Sequence, residues 1–565
     1  MFERRLMLVY LIGFPFIMCH NFQKNKMNKY LLRISFYSLL SFCCIILGYL
    51  ISEKEFDQSI KYRIDRFIIA NSKTTKEHQL LSKKSLANSI ELLIEDKNIE
   101  KLDYQRDFAF EIGPYYSNHP DFTGYVKGKM VVNNDTMKIK LRLKGLFSDH
   151  YRDPLKCSYK IKIFDGGSFL GMKKFAIQHP RTRSYMNEWY LHKLLNYINV
   201  IYLRYDFINV TINGRNSGIY AIEENMHKNL IENNKLKEGP IFRFNHSGEG
   251  SIFYHDISPY NKKSIKSDIN LLNQYKHAKK ILFEFRNGTK KTSEVFDNKK
   301  MAKAYALCDL SGHHHATFPF NLKFYYNPTT GLIEPIIYDN QLIIPIENEG
   351  LLGNLKSVEA PIKNNGEIRW KNDPFSERLF NDSAFFTAYI HYLTEYTEND
   401  WLSKFFKKTH EEAQNKKQII WKSYPEYDFN KKRILFKNQK TIKEILSTYI
   451  LPEIKDGSII EQKDKKFISI RNKNKLPIEL LSVSINGNEI TNCCYLLQPN
   501  FINELPKYQT IEIKDELNSI VPTCFQKINC PNADVEIKYR YLGIKDIKTA
   551  NYSMKISFKE IQSPL

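Results

Sequence analysis

Cysteine is scarce: nine in 565 residues, too few for a disulfide-dense scaffold. No two cysteines stand at Cys-x-x-Cys spacing, so a structural zinc site has no ligand pattern to build on. The chain also lacks a P-loop, a Gly-x-Gly-x-x-Gly between strand and helix, a Gly-x-Ser-x-Gly, a His-Glu-x-x-His and a Ser-His-Asp order. The motif-borne forms of nucleotide binding, serine hydrolysis and zinc proteolysis are therefore excluded. There is no internal repeat and no basic-aromatic RNA-binding motif, so nucleic acid is not an expected partner. Acid is in the minority, with Asp+Glu 62 against Lys+Arg 84 and a net charge of +22. The excess suits an anionic partner, although the lysines are spread along the whole chain.

Core material is plentiful. Hydrophobic residues make up 42% and aromatics 13%, which rules out a disordered or collagen-like chain. Two apolar runs come first. The run 6–19 contains Pro15 and is too short to span a bilayer. The run 34–51 carries no charge and is just long enough. Lys24, Lys26, Lys29 and Arg33 precede it, while Glu53, Glu55 and Asp57 follow. The positive-inside rule then predicts an uncleaved single-pass anchor with the bulk of the chain extracytoplasmic. Met27 opens an alternative start. In an exported chain Cys493, Cys494, Cys524 and Cys530 leave room for one or two disulfides, while the isolated Cys157 and Cys308 are expected to be buried thiols.

Residues 53–111 are charged with sparse apolar positions and predict a helical stalk. From about 112 the period changes to two. Strands are expected at 125–130, 137–143 and 159–163, a helix over 186–195, and a hairpin over 206–223 around Asn213-Gly214. Helical patterns cover 268–310 and 375–450, with a hairpin at 323–338 between them. Short alternating segments return at 456–565 and predict a separate small β-sandwich.

Four groups carry chemistry. Ser158-Tyr-Lys160-Ile-Lys162-Ile alternates, so Lys160 and Lys162 share one strand face with Ser158. An ammonium held there suits phosphate oxygens. Glu188, in the first turns of the next helix, is placed to pair with a cleft lysine or to answer the helix dipole. Glu224 ends the hairpin strand, near a linker between lobes. Asn321 and Asp339 flank the second hairpin, at one end of it, and an amide oxygen with a carboxylate is hard-cation chemistry suited to Mg²⁺. His313-His314-His315 cannot all ligate one metal from a regular element.

At these residues the sequence resembles the spore coat protein H (CotH) kinase family. The match runs through Lys140-Leu-Arg142-Leu-Lys-Gly145, residues 158–163, Phe175-Ala-Ile-Gln-His179-Pro-Arg-Thr-Arg183, residues 207–224 and Gly239-Pro-Ile-Phe-Arg243. It resumes at His315 to Asn321 and at Leu332-Ile-Glu-Pro335-Ile-Ile-Tyr-Asp339. The resemblance implies an α+β, atypical protein-kinase-like two-lobed fold over 112–455, with lobes at about 112–240 and 241–455. The anchor (1–52) and stalk (53–111) would precede it and the β-sandwich would follow. It implies transfer of phosphate from ATP, with Mg²⁺, to Ser/Thr of exported proteins. An anionic surface polymer is the other expected partner. Carried over by motif, Lys162 would bind ATP phosphates with Lys160 and Arg142 nearby, Glu224 would lie by the base, and Glu188 would be the helix glutamate. Asn321 and Asp339 would hold the metal. Spore-coat members carry an Asp several residues before the matching Asn, and here His315 stands near that point as the candidate base. Asp339 is followed by Asn-Gln rather than by an acidic residue and glycine. A catalytically degenerate scaffold or binding protein of the cell surface is the alternative.

Overall fold

Seven short runs of alternating apolar residues close into a barrel: β1 (Ser89–Leu93), β2 (Val126–Val132), β3 (Asp135–Leu143), β4 (Tyr159–Ile163), β5 (Lys174–Gln178), β6 (Tyr205–Ile212) and β7 (Arg215–Glu224). Their order around the barrel is β1-β2-β3-β4-β5-β7-β6. All neighbours are antiparallel except β1 and β6, whose parallel pairing closes the ring. Inward positions fill the interior with Leu92, Met130, Ile139, Leu141, Ile161 and Phe175, all buried. Each such side chain contributes about 1.5–3 kcal/mol by leaving water, and the alternate positions are left polar. Asn133 and Asn134 both take positive φ, as do Asn213 and Gly214. These are the two-residue turns whose twist matches a hairpin. Asn213 does more: it accepts from Ile94 N–H (2.8 Å) and donates to Ile94 O (2.7 Å), pinning the end of β1 to the β6–β7 turn.

The structure is a computed structural model. It describes residues 72–560, except 115, 246–251, 261, 341–342, 347–350, 352–357, 365–366, 373, 463–464, 475, 492–494, 498–507, 514–531 and 556. The expected anchor at 34–51 and the four late cysteines lie outside the described residues. Among the described residues no helix is long and apolar enough to cross a membrane. Cys157 and Cys308 are buried free thiols, as expected. The stalk reading needs correction over 89–112. β1 is a barrel strand and the helix Asp96–Ile112 packs on β2 and β3. Only Ile90 and Leu92 mark the inward face of β1, too short an alternation to stand out between charged neighbours.

A second sheet follows, ordered β11-β10-β8-β9, from β8 (Ile241–Phe244), β9 (Ile257–Pro259), β10 (Lys323–Asn327) and β11 (Leu332–Ile336). It joins a helical layer that includes Ile269–Arg286, Asn298–Ser311, Ser383–Tyr396 and Lys432–Ser447 through one continuous apolar core. The helix Asn298–Ser311 is capped at its start by Asp297, which accepts from Lys300 N–H (3.0 Å). It ends at Gly312 with φ +68°. A Cβ at Gly312 would stand 2.1 Å from Ile344 O. Gly312→Ala therefore combines a left-handed backbone with a backbone collision. It is expected to cost about 2 kcal/mol or more; an unchanged denaturation midpoint would contradict this.

The last hundred residues form a four-stranded and a five-stranded sheet. The boundary expected near 456 is bridged by several contacts. The Tyr449 and Tyr541 rings stack at 4.4 Å. Asn474 exchanges two hydrogen bonds with the Ile450 backbone, at 2.6 and 2.8 Å. The apolar core runs on from the helices into both sheets.

Candidate active site

The polar outer face of the barrel becomes enclosed at one end, where β7 meets the turn Pro180–Arg183 that leads into the helix Met186–Tyr197. Lys144 follows β3, Gln178 ends β5 and Glu223 lies next to the end of β7. Lys144 Nζ reaches Gln178 Oε1 (2.6 Å) and Glu223 Oε1 (2.8 Å), and Gln178 Nε2 donates to Glu223 Oε2 (3.0 Å). Arg183 Nε also donates to Glu223 Oε2 (3.3 Å), while its Nη1 sits 2.9 Å from Asp339 Oδ1. Arg183 thus bridges two carboxylates, one on the barrel and one just after β11. Burial alone would raise the Glu223 carboxyl; the adjacent Lys144 and Arg183 outweigh it and hold the group well below the usual range.

Backbone strain gathers here. Ser184 and Tyr185 take φ of 47° and 55°, and Asp339 takes 61°. Such conformations persist where their surroundings over-determine them. Tyr185 stacks on Tyr427 at 4.4 Å. Tyr427 OH accepts from Met186 N–H (3.2 Å), so the abrupt helix start is held from outside. Glu188, fully buried, accepts the Asp339 N–H at 2.7 Å and lies 3.4 Å from His192 Nε2. It orients Asp339 and does not pair with a lysine.

His315, Asn321 and Asp339 converge. His315 Nδ1 lies 2.9 Å from Asp339 O. A carbonyl only accepts, so Nδ1 carries a proton, and in that tautomer Nε2 is the ring's acceptor. Asn321 Nδ2 sits 3.2 Å from that Nδ1 and donates instead to His315 O (3.3 Å). His314 turns away to Asp309 Oδ1 (3.0 Å), and burial pushes His313 down to about 4. The triple histidine therefore separates His314 from the other two, whose rings stack at 5.7 Å. Among the described residues no group of three or more His, Cys, Asp or Glu could hold a metal. Mg²⁺ needs less, since it commonly takes one or two carboxylates and completes its shell with phosphates and water. Asp339 and Asn321, both hard oxygen donors, fit that role.

The site is rich in cations. Lys160 lies half-buried beside it. Burial first, then Arg142, Lys144 and Arg243, push it down to about 7, against the pull of Glu223. Lys323 is buried behind Asn321 and donates to Asn321 O at 2.7 Å. Burial and Arg243 lower it as well. His150, also lowered by burial, faces Ser158 Oγ at 3.1 Å.

Three expected site residues stand elsewhere. Lys162 shares a face with Lys160 but lies one step further out, its Nζ 3.8 Å above the Tyr125 ring. Glu224 pairs with Arg204, taking the Arg204 N–H (3.1 Å) and Nε (3.0 Å). Arg142 also lies outside the hydrogen-bonded network, its guanidinium 5.3 Å from the Tyr125 ring centroid. Its charge still reaches Lys160. The neighbour of Glu224, Glu223, is the carboxylate that faces the site, because successive strand residues point to opposite faces. Lys144, Gln178, Arg183 and Glu223 carried no role in the sequence reading. The alternation Lys138, Lys140, Arg142, Lys144 along β3 was the available signal for Lys144.

The family model for CotH kinase protein matches residues 141–449, more than half of the chain. The chain belongs to the CotH kinase family. The match spans every residue of the site just described, from Lys144 to Asp339, and supports a CotH-like, kinase-related function. No curated protein matches the chain.

Proposed function

We propose that this CotH-family chain is an ATP- and Mg²⁺-dependent phosphotransferase of the cell envelope, modifying Ser/Thr of exported proteins. The observation that carries the reading is the convergence of Asp339, Asn321 and His315 beside a lysine-rich, partly enclosed face. Asp339 and Asn321 would hold Mg²⁺, which neutralises phosphate charge when bound. Lys160 replaces Lys162 as the phosphate-facing lysine. Arg183 and Glu188 position Asp339, one at the side chain and one at the backbone. His315 Nε2 is the acceptor available for a hydroxyl proton. A binding or scaffold role is the second reading. It is favoured by the neutralisation of Glu223 by Lys144 and Arg183, which leaves part of the cationic face satisfied without a ligand.

Thermal unfolding of the full chain with ATP and Mg²⁺ separates the two. At a ligand concentration about 100 times Kd the folded state should gain roughly 2.7 kcal/mol. Asp339→Ala should remove the Mg²⁺-dependent part of that gain, and Lys162→Ala should leave it intact. Absence of any nucleotide-dependent shift would refute phosphotransfer and leave the binding role.

A further inference from the structure

Most outward positions of β2 to β4, and Lys174 at the start of β5, are cations. Lys127 pairs across to Lys140, Lys140 to Lys162 and Lys162 to Lys174, a row of four over four strands. Lys129 stands opposite Lys138, and Arg142 opposite Lys160. Like charges directly opposite each other destabilise a sheet, yet on these four strands no carboxylate shares the face. Acids flanking the face are engaged elsewhere. Glu91, outward on the adjoining β1, accepts from the Gly214 N–H (3.2 Å). Glu95, which acts on Lys127 and Lys129, sits 2.7 Å from Lys97. Asp165 accepts from the Lys138 and Gly167 N–H groups.

The grid has a direction. Along β3 the cations recur at every second residue, Lys138, Lys140, Arg142 and then Lys144. That repeat is about 6.8 Å, two strand residues, and it equals the same-face repeat of any extended peptide. Lys127, Lys129, Lys138 and Lys140 are exposed, Arg142, Lys162 and Lys174 are half-buried, and the last cation of the series, Lys144, lies inside the candidate active site against Glu223. Lys162 lies 3.8 Å over the Tyr125 ring and Lys140 5.4 Å from that of Phe164, which stays about half exposed. The match to an extended peptide is carried by the cation repeat; single-stranded nucleic acid, which stacks on open rings, is the alternative that the competitors test.

We propose that the outer face of β2–β5 is a docking track for an extended acidic segment of a partner protein, leading along β3 toward the site. Its service as a substrate guide rests on the phosphotransfer reading; the binding does not. The test is fluorescence anisotropy of the full chain, without nucleotide. The probe is a labelled twelve-residue peptide of alternating Glu and Ser. Oligo-dT and inorganic polyphosphate serve as competitors at equal ionic strength. Lys127→Glu/Lys140→Glu/Lys162→Glu should weaken peptide binding by about tenfold or more, and rising salt should weaken the native complex. A control of equal charge change on the helix Lys432–Ser447 and its flank, Lys431→Glu/Arg433→Glu/Lys440→Glu, should change affinity by less than about twofold. Equal loss in both variants would reduce the track to general charge. Tighter binding of oligo-dT or polyphosphate than of the peptide would also overturn it. Should the triple reversal fail to fold, Lys140→Ala/Lys162→Ala must still weaken the peptide several-fold. A chain that binds the peptide but ignores ATP retires phosphotransfer and keeps the track.

Discussion

Glu223→Ala is expected to destabilise the fold by about 3–5 kcal/mol, the usual cost of removing one partner from a buried ion pair. Glu223 accepts from two cations and an amide, and its side chain and those of Lys144 and Arg183 are only 8–10% exposed. Without it Arg183 keeps Asp339, but Lys144 keeps only the Gln178 oxygen. Glu223→Gln should cost less, because the amide oxygen still accepts. Removing both charges at once, as in Lys144→Met/Glu223→Leu, should cost less than Glu223→Ala despite deleting more polar contacts, since no charge is stranded. Urea denaturation measures all three. A loss under about 1 kcal/mol for Glu223→Ala would mean that water reaches the network. Acid adds an independent check. Because the carboxyl is held below its unfolded value of 4.5, its contribution is full above pH 4.5 and is lost as pH falls toward the folded value. The acid limb of stability in Glu223→Ala should therefore be shallower than in the native chain.

The sheet architecture was legible wherever the alternation ran for five or more residues or a turn carried Asn-Gly. β3, β4, β6 and β7 and the hairpin of β10 and β11 all follow from that. β1 escaped because it shows only two inward apolar residues and is surrounded by charge. The candidate site was half legible. Glu188, Asn321, Asp339 and His315 do meet, and the shared face of Lys160 and Lys162 is real. What period two cannot supply is depth along a strand: it puts two lysines on one face without saying which end is enclosed. Nor can it choose between adjacent carboxylates. Choosing Glu224 over Glu223 inverted the side chain, since one residue along a strand is the opposite face. Arg183 lay within the quoted motif, but its bridge joins residues 40 and 156 positions away, and no local pattern encodes such a contact.

Lys160 should give the site two pH slopes of opposite sign. Its folded pKa is about 7, against 10.5 in the unfolded chain. Between those values the unfolded state binds the extra proton, so stability rises with pH across the window; below about 7 the burial penalty is fully present. Anion binding runs the other way. A bound phosphate favours the charged lysine, so above pH 7 each binding event must take up a proton. Affinity for Mg·ATP should fall by up to about tenfold per pH unit between 7 and 9, and be nearly flat below. Lys144, Lys174 and Lys323 are also lowered, and Lys156 is pushed down to about 8. The stability slope alone therefore does not identify Lys160. The comparison with Lys160→Met does: that variant should bind more weakly at pH 7 and lose most of the affinity slope, while its stability slope over the same range becomes shallower. Calorimetric titration at several pH values, corrected for buffer ionisation, would also register the proton uptake in the native chain and its loss in Lys160→Met. Equal affinity slopes in both proteins would place Lys160 outside the anion site. Arg183, Lys144 and Lys323 would then be left as the cations beside Asp339.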